Sequence, residues 1–101
     1  MADLYTVNKS PFEKNSLEAV INLSGDGASI LLIEDGVYGA AKGTEIEKLI
    51  SGAEGKSFYV LRSDLKARGI AEDRVISGIE LVDYAGFVDL VEKTDKVQAW
   101  L

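Results

Sequence analysis

Short apolar runs, each followed by a turn and then by residues with helical spacing, recur along this chain. The clearest runs are residues 4–7, 30–33 and 58–61, and few polar residues interrupt them. Nearly continuous apolar strands are typical of parallel sheets that are covered on both faces. Strands that alternate with helices predict an α/β fold: a mainly parallel sheet with right-handed crossovers and helices on both faces.

The full set of predicted strands follows from these runs and two weaker ones. We predict strands at residues 3–7, 28–33, 57–61 and 79–82, and a short closing strand at 97–101. No internal repeat or linker divides the sequence, so residues 1–101 are predicted to form one domain.

Helix boundaries are indicated by capping residues. Ser10 is followed by Pro11 and then by Glu13, the pattern of a serine cap, a proline in the first helical position and a capping-box glutamate. A helix is therefore expected to begin at Ser10 and to continue through residues 16–23. In that helix Leu17, Val20 and Ile21 share one face, which predicts that Val20 packs against the sheet.

The remaining helices are predicted in the same way. Residues 44–47 repeat the capping-box pattern and predict a helix that continues to Ile50. Ser63 is expected to cap a helix that ends just after Arg68. Asp83 is expected to cap a helix over residues 84–93. A further short helix is expected after the turn Glu34-Asp35-Gly36, over residues 37–41.

Composition narrows the functions that this chain can have. It has 101 residues, a net charge of −6, no cysteine and no histidine. Without cysteine there is no disulfide, thiolate ligand or cysteine-bound intermediate on the chain. The acidic balance disfavours direct nucleic-acid binding. No run is long enough to cross a membrane, and the start lacks the regions of a signal peptide, so a cytoplasmic location is expected. We predict no metal site and no cofactor.

In parallel α/β folds the functional edge lies at the carboxyl ends of the strands. Here that edge would collect residues 8–12, 34–38, 62–64 and 83–84. The apolar residues Phe12, Val37 and Tyr38 are expected to form one exposed patch there, as at an interface.

Other features of the edge allow two interpretations each. Gly36 to Gly39 could bind a small anion through backbone amides, or could form a tight turn. Glu34 and Asp35 could serve acid/base or metal chemistry, or one could be solvated while the other caps the following helix. Trp100 could be a packing residue or could join a partner. Residues 64–69 are interpreted as an ordinary helix end.

Five stretches, taken in order, resemble the DsrH/TusB family of sulfur-relay proteins, and their amino-acid sequences are closer to the DsrH branch. The likeness covers nearly the whole chain. The stretches are LYTVNKSPF (4–12), LLIEDGVY (31–38), DLKARG (64–69), VDYAGFVDL (82–90) and VQAWL (97–101).

The resemblance implies a DsrE-like fold and a role as the small subunit of a three-protein complex, typically a dimer of heterotrimers. In such complexes persulfide sulfur passes along cysteines to an acceptor protein. Partners would be a DsrE/TusD-like and a DsrF/TusC-like subunit, and the complex could pass its sulfur to a DsrC/TusE-like acceptor. The DsrH branch serves dissimilatory sulfur metabolism. The TusB branch serves 2-thiolation of the tRNA wobble uridine.

One departure from the family pattern bears on function. Members of the DsrH type often carry a cysteine in the first helix, and the matching position here is Val20 or its neighbour Ala19. A valine has no sulfur to transfer, so we interpret the chain as a non-catalytic subunit that docks through Phe12, Trp100 and the 35–38 segment. That segment is Asp35, Gly36, Val37 and Tyr38. The main alternative is a free-standing homo-oligomeric module that binds a small anion. A third interpretation is a small enzyme that uses Glu34 or Asp35.

Overall fold

The computed structural model describes residues 3–94 and 96–100. These residues form five strands: β1 (Leu4–Val7), β2 (Ser29–Leu32), β3 (Ser57–Leu61), β4 (Ile79–Val82) and β5 (Val97–Trp100). The helices are α1 (Ser16–Leu23), α2 (Glu45–Ser51), α3 (Arg62–Ala67) and α4 (Tyr84–Lys93), with 3₁₀ helices at Glu34–Ala40 and Glu72–Arg74. The predicted closing strand is present, although its last residue, Leu101, lies outside the described residues.

The strands form one parallel sheet in the order β4-β3-β2-β1-β5. The predicted parallel sheet is therefore confirmed. Strands β2, β3 and β4 follow in order on one side of β1, and β5 then pairs with its other side. The strand order thus reverses at the boundary between β1 and β5, where their carboxyl ends meet.

Two apolar clusters hold helices on the two faces of the sheet. The larger cluster joins the sheet to α1, α2, α3 and the 3₁₀ helix Glu34–Ala40. The smaller one lies on the opposite face and includes Leu4 and Leu31, with Phe87 and Leu90 of α4 packed against it. Helices therefore cover both faces, as the continuous apolar strands predict.

Val20 lies where its spacing predicts. Its side chain is 0% exposed and belongs to the larger cluster together with Leu17 and Ile21. The inner face of α1 is thus a packing surface against the sheet.

The first predicted helix start is wrong. Ser10 Oγ accepts a hydrogen bond from the Phe12 amide at 3.2 Å, and the Ser10 carbonyl accepts from Glu13 and Lys14, which closes a single turn. The helix itself begins at Ser16. Residues 12–15 are exposed. A helix through them would bury no apolar face, and such packing provides most helix stability in proteins.

The other caps are partly as predicted. Asp83 caps α4 by accepting from the Gly86 amide at 2.8 Å, and Thr44 caps α2 by accepting from the Ile46 amide at 3.2 Å. The prediction for Ser63 is wrong, because α3 begins at Arg62 directly from the end of β3, and its N-cap position is Leu61, two residues before Ser63.

Candidate functional site

The candidate site is the edge of the sheet formed by the carboxyl ends of the strands. Residues 8–12 follow β1, the 3₁₀ helix Glu34–Ala40 follows β2, and α3 follows β3. Trp100 ends β5 beside Val7, its partner in the β1–β5 register. Because β2 and β5 both run parallel to β1, the 3₁₀ helix that follows β2 and the end of β5 at Trp100 lie at the same edge of the sheet as the end of β1.

Two glycines let the 3₁₀ helix lie directly on the segment that follows β1. A Cβ atom on Gly36 would overlap the Val7 carbonyl oxygen, and one on Gly39 would lie 3.3 Å from Pro11 Cγ and 3.1 Å from Leu17 Cδ2. Residues three apart are eclipsed in a 3₁₀ helix, so both glycines lie on the same row. Gly36 thus allows a close approach to the backbone at the end of β1, and Gly39 leaves room for the side chains of Pro11 and Leu17.

The 3₁₀ period gives this helix two further rows with different roles. Val37 and Ala40 form the row that is buried in the larger cluster, and both are 0% exposed. Asp35 and Tyr38 form the row that faces solvent. The expectation that Val37 contributes to an exposed patch is therefore wrong. A repeat of three residues turns Val37 inward and its neighbour Tyr38 outward.

The residues predicted for the partner surface thus differ in how far they are buried. Phe12 is 60% exposed and Tyr38 is 38% exposed, and the Gly39–Pro11 contact brings their segments together. Trp100 is half-buried and packs against the larger cluster. Gly36 and Val37 are buried and support this surface from beneath.

Glu34 and Asp35 form neither a catalytic pair nor a helix cap. The residue at the N-cap position is Ile33, whose side chain makes no capping hydrogen bond. Asp35 Oδ1 instead accepts a hydrogen bond from Arg68 Nε at 2.9 Å, and the Glu34 amide donates to Asp64 Oδ2 at 2.6 Å. The expectation that one of these carboxylates caps the helix is wrong, because both of the first two helical residues are bound by α3.

These hydrogen bonds also bear on anion binding at the start of the 3₁₀ helix. The Glu34 amide is occupied by a carboxylate, and the Gly36 amide donates to the Ile33 carbonyl at 2.8 Å. An anion would therefore have to displace an internal acceptor and approach Asp35 and Asp64. The geometry favours the tight-turn interpretation of the glycines.

The sequence interpretation missed a second exposed apolar surface, on α4. Tyr84 is 72% exposed, and Val88 and Val91 are also exposed. Their spacing of four and three residues puts them on one side of the helix, which we call the α4 stripe. Its signal in the sequence is the apolar spacing itself. Phe87 and Leu90 supply the inward face of the same helix.

Comparison with known proteins agrees with this fold. A family model described as "DsrH like protein" matches residues 9–97. The chain belongs to the DsrH/TusB family. Similar curated relatives are named Protein TusB, and the one from Photorhabdus laumondii is 36% identical over 98 residues, covering 96% of this chain and 99% of that protein. One from Yersinia pestis is 36% identical over 97 residues, again covering 96% and 99%.

Solved structures share the same architecture. The ychN protein from E. coli matches with a TM-score of 0.77 and 19% identity, covering 99% of this chain and 100% of that one. The Tm0979 protein from Thermotoga maritima matches with a TM-score of 0.64 and 27% identity, covering 91% and 92%. The predicted DsrE-like fold is thus confirmed.

Membership of the DsrH/TusB family makes this chain a subunit of a sulfur relay with partners of the TusC and TusD kind. It contains no cysteine, so the chain itself cannot carry a persulfide. Among the described residues, no helix is both long and apolar enough to span a membrane.

Proposed function

We propose that this chain completes a cytoplasmic TusBCD-like complex without itself holding sulfur, and that the complex serves 2-thiolation of the tRNA wobble uridine. The TusB relatives support this branch over dissimilatory sulfur metabolism. Sulfur would pass from cysteines of the TusD-like and TusC-like subunits to a TusE-like acceptor. The chain would make no direct contact with nucleic acid.

The observation that carries this proposal is the chemistry of position 20. We take the family cysteine to be matched by Val20, or by its neighbour Ala19, and the Val20 side chain is 0% exposed in the larger cluster. The position therefore contributes packing, and persulfide chemistry has to reside on other subunits. This supports a role in assembly.

We further propose that the partner surface consists of Phe12, Tyr38 and Trp100, with Asp35 at its rim. Aromatic side chains are enriched among the residues that dominate binding energy at interfaces. Phe12 and Tyr38 are exposed on segments held together by the Gly39–Pro11 contact. Trp100 ends the strand that neighbours β1 at the same edge. Residues buried beneath them keep the surface rigid, which lowers the entropic cost of binding.

Co-expression with the TusC-like and TusD-like subunits of the same organism tests the assembly role. The expected result is one complex that contains all three chains in equal amounts and separates from the free chain on size-exclusion chromatography. A chain that purifies alone as a homo-oligomer, and that leaves the other two subunits unbound, would support the anion-binding alternative. Titration of that homo-oligomer with inorganic phosphate would then test the alternative directly.

A further inference from the structure

Glu34 has an unusual backbone conformation at the start of the 3₁₀ helix that carries Tyr38. Its φ angle is +49°, and it is the one non-glycine residue in the described part of the chain with positive φ. Residues with a Cβ atom rarely adopt this left-handed region. Such a conformation persists where the surrounding structure holds it, and it clusters at binding and switch segments.

Two side chains hold this conformation, one from Asp64 in α3 and one from Arg68, the residue that directly follows α3. Asp64 Oδ2 accepts from the Glu34 amide at 2.6 Å, and Arg68 Nε donates to Asp35 Oδ1 at 2.9 Å. Arg68 Nη1 also donates to the Asp64 carbonyl at 3.3 Å, which links the two groups within one turn of α3. The first two residues of the 3₁₀ helix are thus fixed by a helix distant in sequence.

These bonds act on the exposed row of the 3₁₀ helix. Asp35 lies one 3₁₀ turn before Tyr38, so the Arg68 contact fixes the row from which the tyrosine projects. We propose that Asp64 and Arg68 are positioning residues, which preset Tyr38 for the partner subunit. This inference rests on the proposed function, because it takes Tyr38 to be part of the partner surface.

The solvent exposure of the Arg68–Asp35 pair indicates whether it acts mainly on partner binding or on folding stability. The side chains of Arg68 and Asp35 are 23% and 54% exposed. Ion pairs as exposed as this contribute little to folding stability. Their effect is therefore expected mainly in binding, where a preorganised side chain loses less freedom.

The test is the affinity of the chain for the co-purified TusC-like and TusD-like subunits, measured by biolayer interferometry. We expect Asp64→Ala and Arg68→Ala each to weaken binding by about fivefold, the scale of one lost hydrogen bond. Asp64→Asn keeps an acceptor for the Glu34 amide and is expected to retain most of the affinity. Lys66→Ala is the matched control, since Lys66 is an exposed residue of the same helix that lies outside the carboxyl-edge residues 62–64.

A double-mutant cycle with Tyr38→Ala decides whether Asp64 acts through the tyrosine. In the Tyr38→Ala background, Asp64→Ala is expected to cause no further loss of affinity, with circular dichroism confirming that each variant is folded. An equal loss in both backgrounds, or no loss from Asp64→Ala in the wild-type background, would overturn the positioning role while leaving the proposed interface intact. Unchanged affinity of Tyr38→Ala alone would overturn both. Should Asp64→Ala fail to fold, the same cycle with Arg68→Ala gives the decision.

Discussion

The backbones of Gly36 and Val7 are in direct contact, because no atom larger than hydrogen fits between the Gly36 α-carbon and the Val7 carbonyl oxygen. That oxygen also accepts a hydrogen bond from the Ile33 amide at 3.0 Å. The 3₁₀ helix can therefore lie on the end of β1 only if position 36 is glycine. This contact positions Tyr38 over the carboxyl edge of the sheet.

Replacement of Gly36 by alanine is expected to lower the free energy of unfolding by about 1–3 kcal/mol or more, the cost of overpacking a filled site. Gly25→Ala is the matched control, because a Cβ atom there would meet nothing within 4 Å. Its effect should stay within about 0.5 kcal/mol, as for other open surface sites. Urea denaturation measures both variants. Equal stability of the two would contradict the backbone contact.

Truncation of Val20 to alanine should lower the free energy of unfolding by about 1–3 kcal/mol, because it removes buried methyl groups and leaves a cavity. Val88→Ala provides the comparison on an exposed helical site, since Val88 is 40% exposed. Thermal unfolding followed by circular dichroism gives both values. If Val20→Ala were as mild as Val88→Ala, position 20 would be free to face a partner.

The purified chain should neither accept nor release sulfane sulfur, because persulfide formation needs a thiolate and the chain has no cysteine. Intact-mass spectrometry after incubation with a persulfide donor should show no gain of a sulfur atom. Stable labelling of the purified chain would refute the non-catalytic role.

The substitution Val20→Cys, which places a cysteine at the position taken to match the family cysteine, tests whether position 20 is shielded from solvent. The site is 0% exposed, so the new thiol should be shielded in the folded chain and react with a thiol reagent only after unfolding. Rapid reaction under native conditions would mean that α1 opens at this position. In that case the site would be a vestigial relay position, and its packing role would be wrong.

The main elements were predictable from sequence because apolar runs and side-chain caps are local signals. The β3 strand and the Asp83 cap are examples of such signals. The orientation of the 34–40 segment was not, because no local signal indicates that the segment is a 3₁₀ helix, in which Val37 turns into the core while Tyr38 faces solvent. The Asp64–Glu34 bond was equally hidden, because it joins residues far apart in sequence.

The position of Ser10 shows how a local signal can mislead. Its serine-proline pattern does close a turn, but the exposed residues that follow give a helix nothing to pack against. Capping patterns therefore predict a turn more securely than they predict the helix after it.

The most direct test of the partner surface is to compare Tyr38→Ala with Tyr84→Ala for binding to the TusC-like and TusD-like subunits. Both tyrosines are exposed, but Tyr38 follows β2, the neighbour of β1, whereas Tyr84 begins α4 after β4, the strand at the opposite side of the sheet from β5. We predict that Tyr38→Ala weakens binding by about 1–3 kcal/mol, as expected for an aromatic anchor, while Tyr84→Ala leaves it unchanged. The opposite pattern, in folded variants, would contradict the account and assign the partner surface to the α4 stripe.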